Sequence, residues 1–216
     1  MQTPNPAHYY PPAEEITNII SHAIGFIFSI VALCLLAVHA AQHGTALHIT
    51  SFVIFGCSLI ILYAASTLYH IAKKPELRIK LRVFDHACIY ILIAGTYTPI
   101  SLITLGGTTG WVIFGIAWGL AATGIVLKLF FTGKYNLVST LMYIFMGWII
   151  LFAIKPLVNN LPEGGLIWLI IGGASYTVGA ILYSIKLLKF NHAIFHIFVL
   201  LGSFSHFITV YYFVLP

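Results

Sequence analysis

Two histidines four residues apart open the last apolar segment of the chain, NHAIFHIFVLLGSFSH from Asn191 to His206. In a helix, residues i and i+4 lie one above the other on the same face, with Cβ atoms roughly 6 Å apart. If the segment is helical, His192 and His196 could share one metal ion. A single buried histidine is more commonly a hydrogen-bonded packing residue. The interpretation therefore depends on what the rest of the chain brings near this pair.

The composition is that of a polytopic membrane protein. Of 216 residues, 60% are hydrophobic and only 7% are charged, whereas about a quarter of the residues are charged in soluble domains. At about 20 residues per span, the chain has room for six or seven spans and almost none for a soluble domain. Any function must then reside in the helix bundle. The net charge of +5 reflects membrane orientation, and we expect no nucleic-acid partner.

Seven apolar stretches, each ended by charge, Gly, Pro or Asn, predict seven helices, since in hydrocarbon each segment must satisfy its own backbone polar groups. After a tail of residues 1–15, they cover about 16–41, 47–71, 83–105, 111–131, 137–154, 166–188 and 193–214. The tail lacks the basic start of a cleavable signal peptide, so we expect the first stretch to remain as a span. The sequence predicts an all-α, seven-transmembrane helix bundle in which Pro99 kinks or locally breaks the third span.

The basic residues predict how the bundle is oriented. Nine of the ten lie in the second, fourth and sixth connections: Lys73, Lys74, Arg78, Lys80, Arg82, Lys128, Lys134, Lys186 and Lys189. Seven spans produce this alternation between basic and non-basic connections, whereas six or eight spans would not preserve it. By the positive-inside rule, these connections and the N-terminus face the cytoplasm and the C-terminus lies outside.

On this topology, four ionisable residues gather at one depth. His192 and His196 lie in the first turns of span seven, His70 closes span two, and Asp85 opens span three, all at the cytoplasmic end. Ionisable groups inside spans are costly and are candidates for function. Ser66 lies one turn deeper than His70 on the same helical face.

Three neutral imidazoles with an open fourth position are typical of a catalytic zinc, although the set would also suit another divalent metal. Such a metal lowers the pKa of a bound water to about 7 and supplies hydroxide to a carbonyl group. Asp85 could hold that water and accept its proton, and Ser66 could orient a ligand or the substrate carbonyl. The alternatives are that Asp85 is a helix cap and that Ser66 bonds its own i−4 carbonyl.

Three polar residues of span one could line the same cavity. Glu15, Asn18 and His22 fall on one face of that span at its cytoplasmic end. A carboxylate in a first turn also complements the helix dipole, which accounts for Glu15 but not for Asn18 or His22.

Two further histidines lie near the proposed site in sequence. His206 is ten residues beyond His196, about 15 Å deeper at 1.5 Å per residue, so it cannot share the ion. We expect it to form a buried hydrogen bond to another span. His86 points about 100° away from Asp85 on a helix, and we interpret it as a packing residue or as support for the site.

Four segments together resemble the haemolysin III branch of the progestin and adipoQ receptor family. They are EEITNIISHAIG, STLYH, RVFDHACIYILIAGTYTP and NHAIFHIFVLLGSFSHF, in the first, second, third and last spans. The resemblance implies zinc near the cytoplasmic face held by His70, His192 and His196, with Asp85 at the bound water and Ser66 nearby. The superfamily also includes alkaline ceramidases, which implies hydrolysis of lipid amides. The short tail is similar to the minimal bacterial type, which implies the bacterial inner membrane.

Three functions follow as hypotheses. The first is a zinc-dependent hydrolase of a lipid amide or ester in membrane lipid homeostasis, with a membrane lipid as substrate. The second is a cytolytic or pore-forming protein, for which a polar stripe should cross the bundle. The third is a non-enzymatic sensor of membrane state in which zinc is structural.

Overall fold

The structure, a computed structural model, describes residues 7–132 and 135–215 and is helical throughout its ordered elements, without a strand in those ranges. The helices are α1 Pro12–His43, α2 Ala46–Ile71, α3 Pro75–Pro99, α4 Gly107–Phe131, α5 Asn136–Trp148, α6 Ile154–Asn160, α7 Glu163–Ser184 and α8 Asn191–Thr209. A 3₁₀ segment, Ile149–Ala153, joins α5 to α6, and π-helical turns, Ile100–Leu105 and Val210–Val214, extend α3 and α8. Within the described residues, seven of these helical units are long and apolar enough to cross a membrane, which confirms the predicted seven-helix membrane bundle. Lys134, counted above in the fourth connection, lies outside the described residues.

The third span is the centre of the bundle. In its most apolar stretch 78% of the residues are buried, against 28% for α1 and α4 and 22% for α7. The spans of α2 and α8 are intermediate, at 56% and 50%. The helices that carry the three histidines, Asp85 and Ser66 are therefore the ones that contact most protein, whereas the outer helices present apolar side chains to lipid.

Helix α3 begins at Pro75, two turns before the apolar run that marks the span in the sequence. Proline at a helix start loses no hydrogen bond, and Glu76 in the first turn complements the helix dipole. Arg78, Lys80 and Arg82 consequently lie on the helix instead of in a loop. Their side chains are thus fixed in direction, and Arg78 turns inward, where it is only 1% exposed.

Directly after Pro99, α-helical geometry gives way to the π-helical turn Ile100–Leu105. Proline carries no backbone N–H and cannot complete the i→i−4 ladder. The Ser101 hydroxyl donates to the carbonyl of Tyr97 at 2.7 Å, and the turn ends where the N–H of Gly106 donates to the carbonyl of Ser101 at 3.0 Å. The helix widens here without breaking.

Helices α2 and α3 approach each other closely at Gly95. A Cβ atom at this position would lie 2.3 Å from the Ser58 hydroxyl oxygen, so only glycine fits. This contact fixes the relative depth of the two helices, and with it the relative height of His70 and Asp85. We call the end of the bundle where α1, α3 and α8 begin and α2 ends the histidine end.

Candidate metal centre

Three imidazoles converge at the histidine end. The Nε2 atom of His192 lies 3.1 Å from Nε2 of His70 and 3.1 Å from Nε2 of His196. All three side chains are buried, and their candidate ligand atoms lie within 4.8 Å of one another. His70 comes from the last turn of α2, whereas the other two come from the first turns of α8. The structure thus brings together the three histidines that the sequence placed at one depth.

The hydrogen bonds of the opposite ring nitrogens fix the tautomers of two of these histidines. His70 Nδ1 faces the Glu15 carboxylate at 3.4 Å, which can only accept, so Nδ1 carries the proton. Ser21 gives its hydroxyl proton to the Asn18 carbonyl and therefore accepts from His196 Nδ1 at 3.3 Å. In both rings Nε2 is left with a lone pair directed at the shared centre.

This arrangement suits a cation better than a hydrogen-bond network. His192 Nε2 faces two lone pairs and can donate at most one proton, so one contact stays unsatisfied without a positive ion. Tetrahedral zinc with Zn–N bonds of 2.0–2.1 Å places its ligand nitrogens about 3.3 Å apart. The two separations from His192 Nε2, both 3.1 Å, are close to this value, and the third pair lies within 4.8 Å. The residues present therefore fit a metal with three imidazole ligands and an open position.

The two acidic residues of helix α1 contact the residues of the centre and hold them in place. Glu14, 5% exposed, accepts a hydrogen bond from the backbone N–H of His192 at 3.1 Å. Glu15 contacts His70 and also forms a short ion pair with the Arg78 guanidinium. The carboxylate of Glu15 is a hydrogen-bond acceptor that orients a candidate ligand, as second-layer carboxylates do in metal sites.

Arg78 joins the ends of α1, α2 and α3. Its Nη1 donates to the carbonyls of Tyr69, His70 and Ala72 at 3.1 to 3.2 Å. These carbonyls lie in the last turn of α2 or just past it, where carbonyls lack intrahelical partners and a cation is favoured. Arg78 thereby holds the backbone of His70 in place.

The segment before α1 covers the centre. The ring of Tyr10 stacks on that of His192, with centroids 4.5 Å apart and planes 12° from parallel. The carbonyl of His8 accepts a hydrogen bond of 2.6 Å from Arg78 Nε. Burial raises the pKa of the Tyr10 phenol far above its usual value, so the ring stays neutral at physiological pH. This neutral aromatic cover separates the histidines from the water beyond the end of the bundle.

Asp85 and Ser66 lie beside the histidines but are not part of the group of three. The Asp85 carboxyl is 6% exposed and faces His70 and Ser66. The buried Ser66 hydroxyl forms no hydrogen bond of normal geometry to any described residue. Ser66 thus does not bond its own i−4 carbonyl, the alternative raised from the sequence. A hydroxyl and a carboxyl, both buried, are available to a ligand at this point.

An elongated apolar cavity of about 260 Å³ reaches the centre. At the histidine end its lining includes Ser66, Asp85, His192 and His196. From there it continues past α3 to Leu157 and Leu166, near the far end of the bundle. Its side is formed in part by residues that are also exposed on the outer surface: Leu151, Val158 and Ile170. The cavity therefore communicates with the lipid-facing surface between the fifth span and α7.

The polar residues of α1 lie against the centre. The His22 ring stacks on that of His196, with centroids 3.4 Å apart and planes 7° from parallel, and His22 also lines the cavity. Asn18 is fully buried, and its side-chain amide finds no partner among the residues described. The structure therefore brings Glu15, Asn18 and His22 to the site region that the sequence suggested.

His206 and His86 both line the cavity away from the three histidines. The ring centroid of His206 lies 5.4 Å from that of Tyr176, and its Nδ1 has no hydrogen-bond partner within the described ranges. The hydrogen bond to another span that we expected is therefore absent at this atom. His86 lies on the cavity side of α3, and its backbone carbonyl accepts from the Tyr143 hydroxyl at 2.9 Å.

Sequence reasoning missed the roles of four residues. Arg78 and Lys128 were counted as connection charges, but both are nearly fully buried. Nothing in the sequence marked Tyr10 or Glu14 as a site residue. Tyr10 lies in the tail, and Glu14 is a residue type common in the first turn of a helix. An inward-facing cation can be recognised from sequence only when its helix is known to extend past the apolar run.

The chain matches known proteins along nearly its full length. Residues 11–207 match the family model described as haemolysin-III related. The chain is 49% identical over 203 residues to "Hemolysin-3" of Bacillus cereus, covering 94% of this chain and 93% of the relative. It is 46% identical over 200 residues to the "Hemolysin-3 homolog" of Bacillus subtilis (strain 168), covering 93% and 94%. The human "Monocyte to macrophage differentiation factor" is 30% identical over 218 residues, covering 97% of this chain and 89% of the relative.

Proposed function

This chain belongs to the haemolysin-III related family, and from that premise we propose that it is a multi-pass membrane hydrolase that uses zinc to cleave an amide or ester bond of a membrane lipid. The proposal rests on one observation, which is that the histidine cluster and the apolar cavity lie at the same place. Three histidine Nε2 atoms converge beside a buried carboxyl and hydroxyl, and a lipid-accessible apolar cavity ends at the same point.

The metal is assigned to His70, His192 and His196. When bound, zinc would polarise a carbonyl group and lower the pKa of a water in the open position to about 7. The protein supports this by directing the Nδ1 protons of His70 and His196 at Glu15 and Ser21, which leaves both Nε2 lone pairs facing the centre. Neutral imidazole is the form that ligates a metal.

Asp85 and Ser66 are assigned to the reacting groups. Asp85 stands outside the group of three ligands, so it can accept a proton from the attacking water and return it to the leaving nitrogen or oxygen. The Ser66 hydroxyl, which forms no hydrogen bond of normal geometry to a described residue, can donate to the substrate carbonyl oxygen.

The apolar cavity is assigned to an acyl chain. It runs from Asp85 toward Leu157 and is lined mainly by aliphatic and aromatic side chains, as expected for a site that excludes water around a lipid tail. Tyr10 seals the opposite side of the centre. A substrate would enter sideways from the bilayer past Leu151 and Ile170, so that only its headgroup approaches the histidine end.

The histidine end is proposed to face the cytoplasm of a bacterial inner membrane. Lys73, Lys74, Lys80, Lys186 and Lys189 lie at this end and are exposed. An excess of basic residues is typical of cytoplasmic connections.

The proposal is tested by turnover of lipid amides and esters. Purified zinc-loaded protein in nanodiscs is given a panel of N-acyl lipids and phospholipids, and the released fatty acid is measured by mass spectrometry. Activity lost in both H196A and D85N supports the assignment. Absence of turnover across the panel, together with full cellular function of D85N, would refute it.

A non-enzymatic function with structural zinc is the second candidate, and the bracing of α1 favours it. Glu14 and Glu15 join α1 to α8, α2 and α3 around the three histidines, and a metal there would in addition link α2 to α8. Under this alternative, removal of the metal lowers thermal stability while D85N keeps full cellular function. The hydrolase proposal predicts loss of that function.

A further inference from the structure

Lys128 is a buried cation in the wall of the cavity. It lies in the last turn of α4, where a lysine ordinarily extends its ammonium group to the water interface. Here the residue is only 4% exposed and lines the same cavity as Asp85 and His86. The side chain has turned into the bundle, and the apolar cavity acquires one positive charge beside the candidate centre.

No acidic side chain neutralises this charge. All five acidic residues of the chain fall within the described ranges, and both ion pairs found there involve Glu15. The nearest aromatic partner of the Lys128 ammonium is the Tyr143 ring, 5.9 Å from its centroid. Arg82 lies close enough to act electrostatically on Lys128, but it is only partly buried and is not among the residues that line the cavity. A buried cation without a counterion is costly, so Lys128 favours a bound anion.

A neutral hydrogen-bonding group accompanies the cation. His86 lines the cavity together with Lys128, and its Nδ1 atom is buried without a hydrogen-bond partner among the described residues. A hydrogen bond from the Tyr143 hydroxyl to the backbone carbonyl of His86 holds this residue in place. A cation and a free imidazole nitrogen at the rim of an apolar cavity form a site for an acidic group attached to a hydrocarbon chain.

We infer that Lys128, with His86, binds the anionic headgroup of a lipid whose acyl chain occupies the cavity. The acidic group is a carboxylate or a phosphate, since each accepts hydrogen bonds from an ammonium group. This inference deepens the proposed function, because it assigns acidic lipids as the substrate class. Binding of the acidic lipid by Lys128 does not require that the metal be catalytic.

The test compares two amides that share an oleoyl chain and differ only in headgroup charge. N-Oleoylglycine ends in a carboxylate, whereas N-oleoylethanolamine ends in a neutral hydroxyl. Equilibrium binding of each radiolabelled probe is measured on the full chain in phosphatidylcholine nanodiscs with a chelator present, so that no turnover occurs. Binding can therefore succeed or fail independently of the hydrolase proposal.

The variants are K128M, which removes the charge at similar length, K128R, which keeps it, and K189M, an exposed lysine at the same end. We expect K128M to lose roughly 10- to 100-fold in affinity for N-oleoylglycine and to bind N-oleoylethanolamine within about twofold of the wild type. K128R should retain the preference, and K189M should behave as the wild type.

Three results would overturn the inference. One is equal binding of the two probes by the wild type. Another is an equal loss of both probes in K128M, which would mean that Lys128 only maintains the shape of the cavity. The third is displacement of N-oleoylglycine by inorganic phosphate at comparable concentration, which would make the ligand a soluble anion instead of a lipid.

Discussion

At the scale of single residues, the centre depends on which ring nitrogen carries the proton. The three histidines would be ordinary packing residues if their Nε2 atoms were protonated. Glu15 and Ser21 prevent this for His70 and His196 by accepting at Nδ1. The residues that make the site competent for a metal are thus partly on α1, a helix that contributes no ligand.

Glu15→Gln tests that conclusion. The amide can present its NH₂ group to His70 Nδ1 and no longer enforces the required tautomer, so zinc affinity should fall by roughly 10- to 100-fold. The measurement is competition with a zinc indicator, and E76Q, an exposed residue in the first turn of α3, is the control. Unchanged affinity in E15Q would restrict Glu15 to its ion pair with Arg78.

Asp85→Asn separates catalysis from metal binding. Because the carboxyl lies outside the ligand group, D85N should keep its zinc but lose lipid hydrolysis by a factor of about 100 or more, the usual contribution of a general base. E163Q, at the start of α7 and exposed, is the matched control and should retain activity. Loss of zinc in D85N would instead make Asp85 a ligand.

The sequence allowed prediction of part of this site. His192 and His196 follow from helical spacing, and His70 and Asp85 follow from depth once seven spans are counted. Arg78 and Lys128 could not be predicted, because a charge near a helix end has the same sequence whether it faces water or the bundle. Their direction depends on where each helix begins and how its neighbours pack. Tyr10 could not be predicted because it lies in the tail before the first span.

At the scale of elements, Arg78 joins α1, α2 and α3 through its ion pair with Glu15 and its hydrogen bonds to carbonyls at the end of α2. Arg78→Met leaves the Glu15 carboxylate without its cation and three carbonyls near the end of α2 without a donor. We expect a loss of about 3 kcal/mol in the free energy of unfolding, measured by denaturation in mixed micelles. K80M, an exposed residue on the same helix, should change stability little. Equal stability of the two variants would contradict this role for Arg78.

Helix α3 shows why the presence of a helix is easier to predict from sequence than its local geometry. Pro99 signals a disturbance, because its missing N–H must interrupt the ladder. Whether the helix kinks, breaks or widens depends on which neighbours satisfy the freed groups. Here the Ser101 hydroxyl donates to the Tyr97 carbonyl and the Gly106 N–H donates to the Ser101 carbonyl, and a π-helical turn results. That outcome requires the three-dimensional context.

At the scale of the whole molecule, the distribution of basic residues predicts the orientation. In a background without native cysteines, K189C at the histidine end and E163C at the opposite end are treated in intact cells with a membrane-impermeant maleimide. We expect labelling of E163C alone, because K189C should face the cytoplasm. Labelling of K189C alone would reverse the proposed orientation and place the site outside.

The most direct test of the account is the metal content of the purified protein, measured by elemental analysis without chelators. We expect about one zinc per chain in the wild type, retained in D85A and lost in H196A, because three imidazoles bind the ion and Asp85 does not. A wild-type protein without metal under these conditions would contradict the central claim. The histidines would then serve packing, and the hydrolase and the structural-zinc functions would both be excluded.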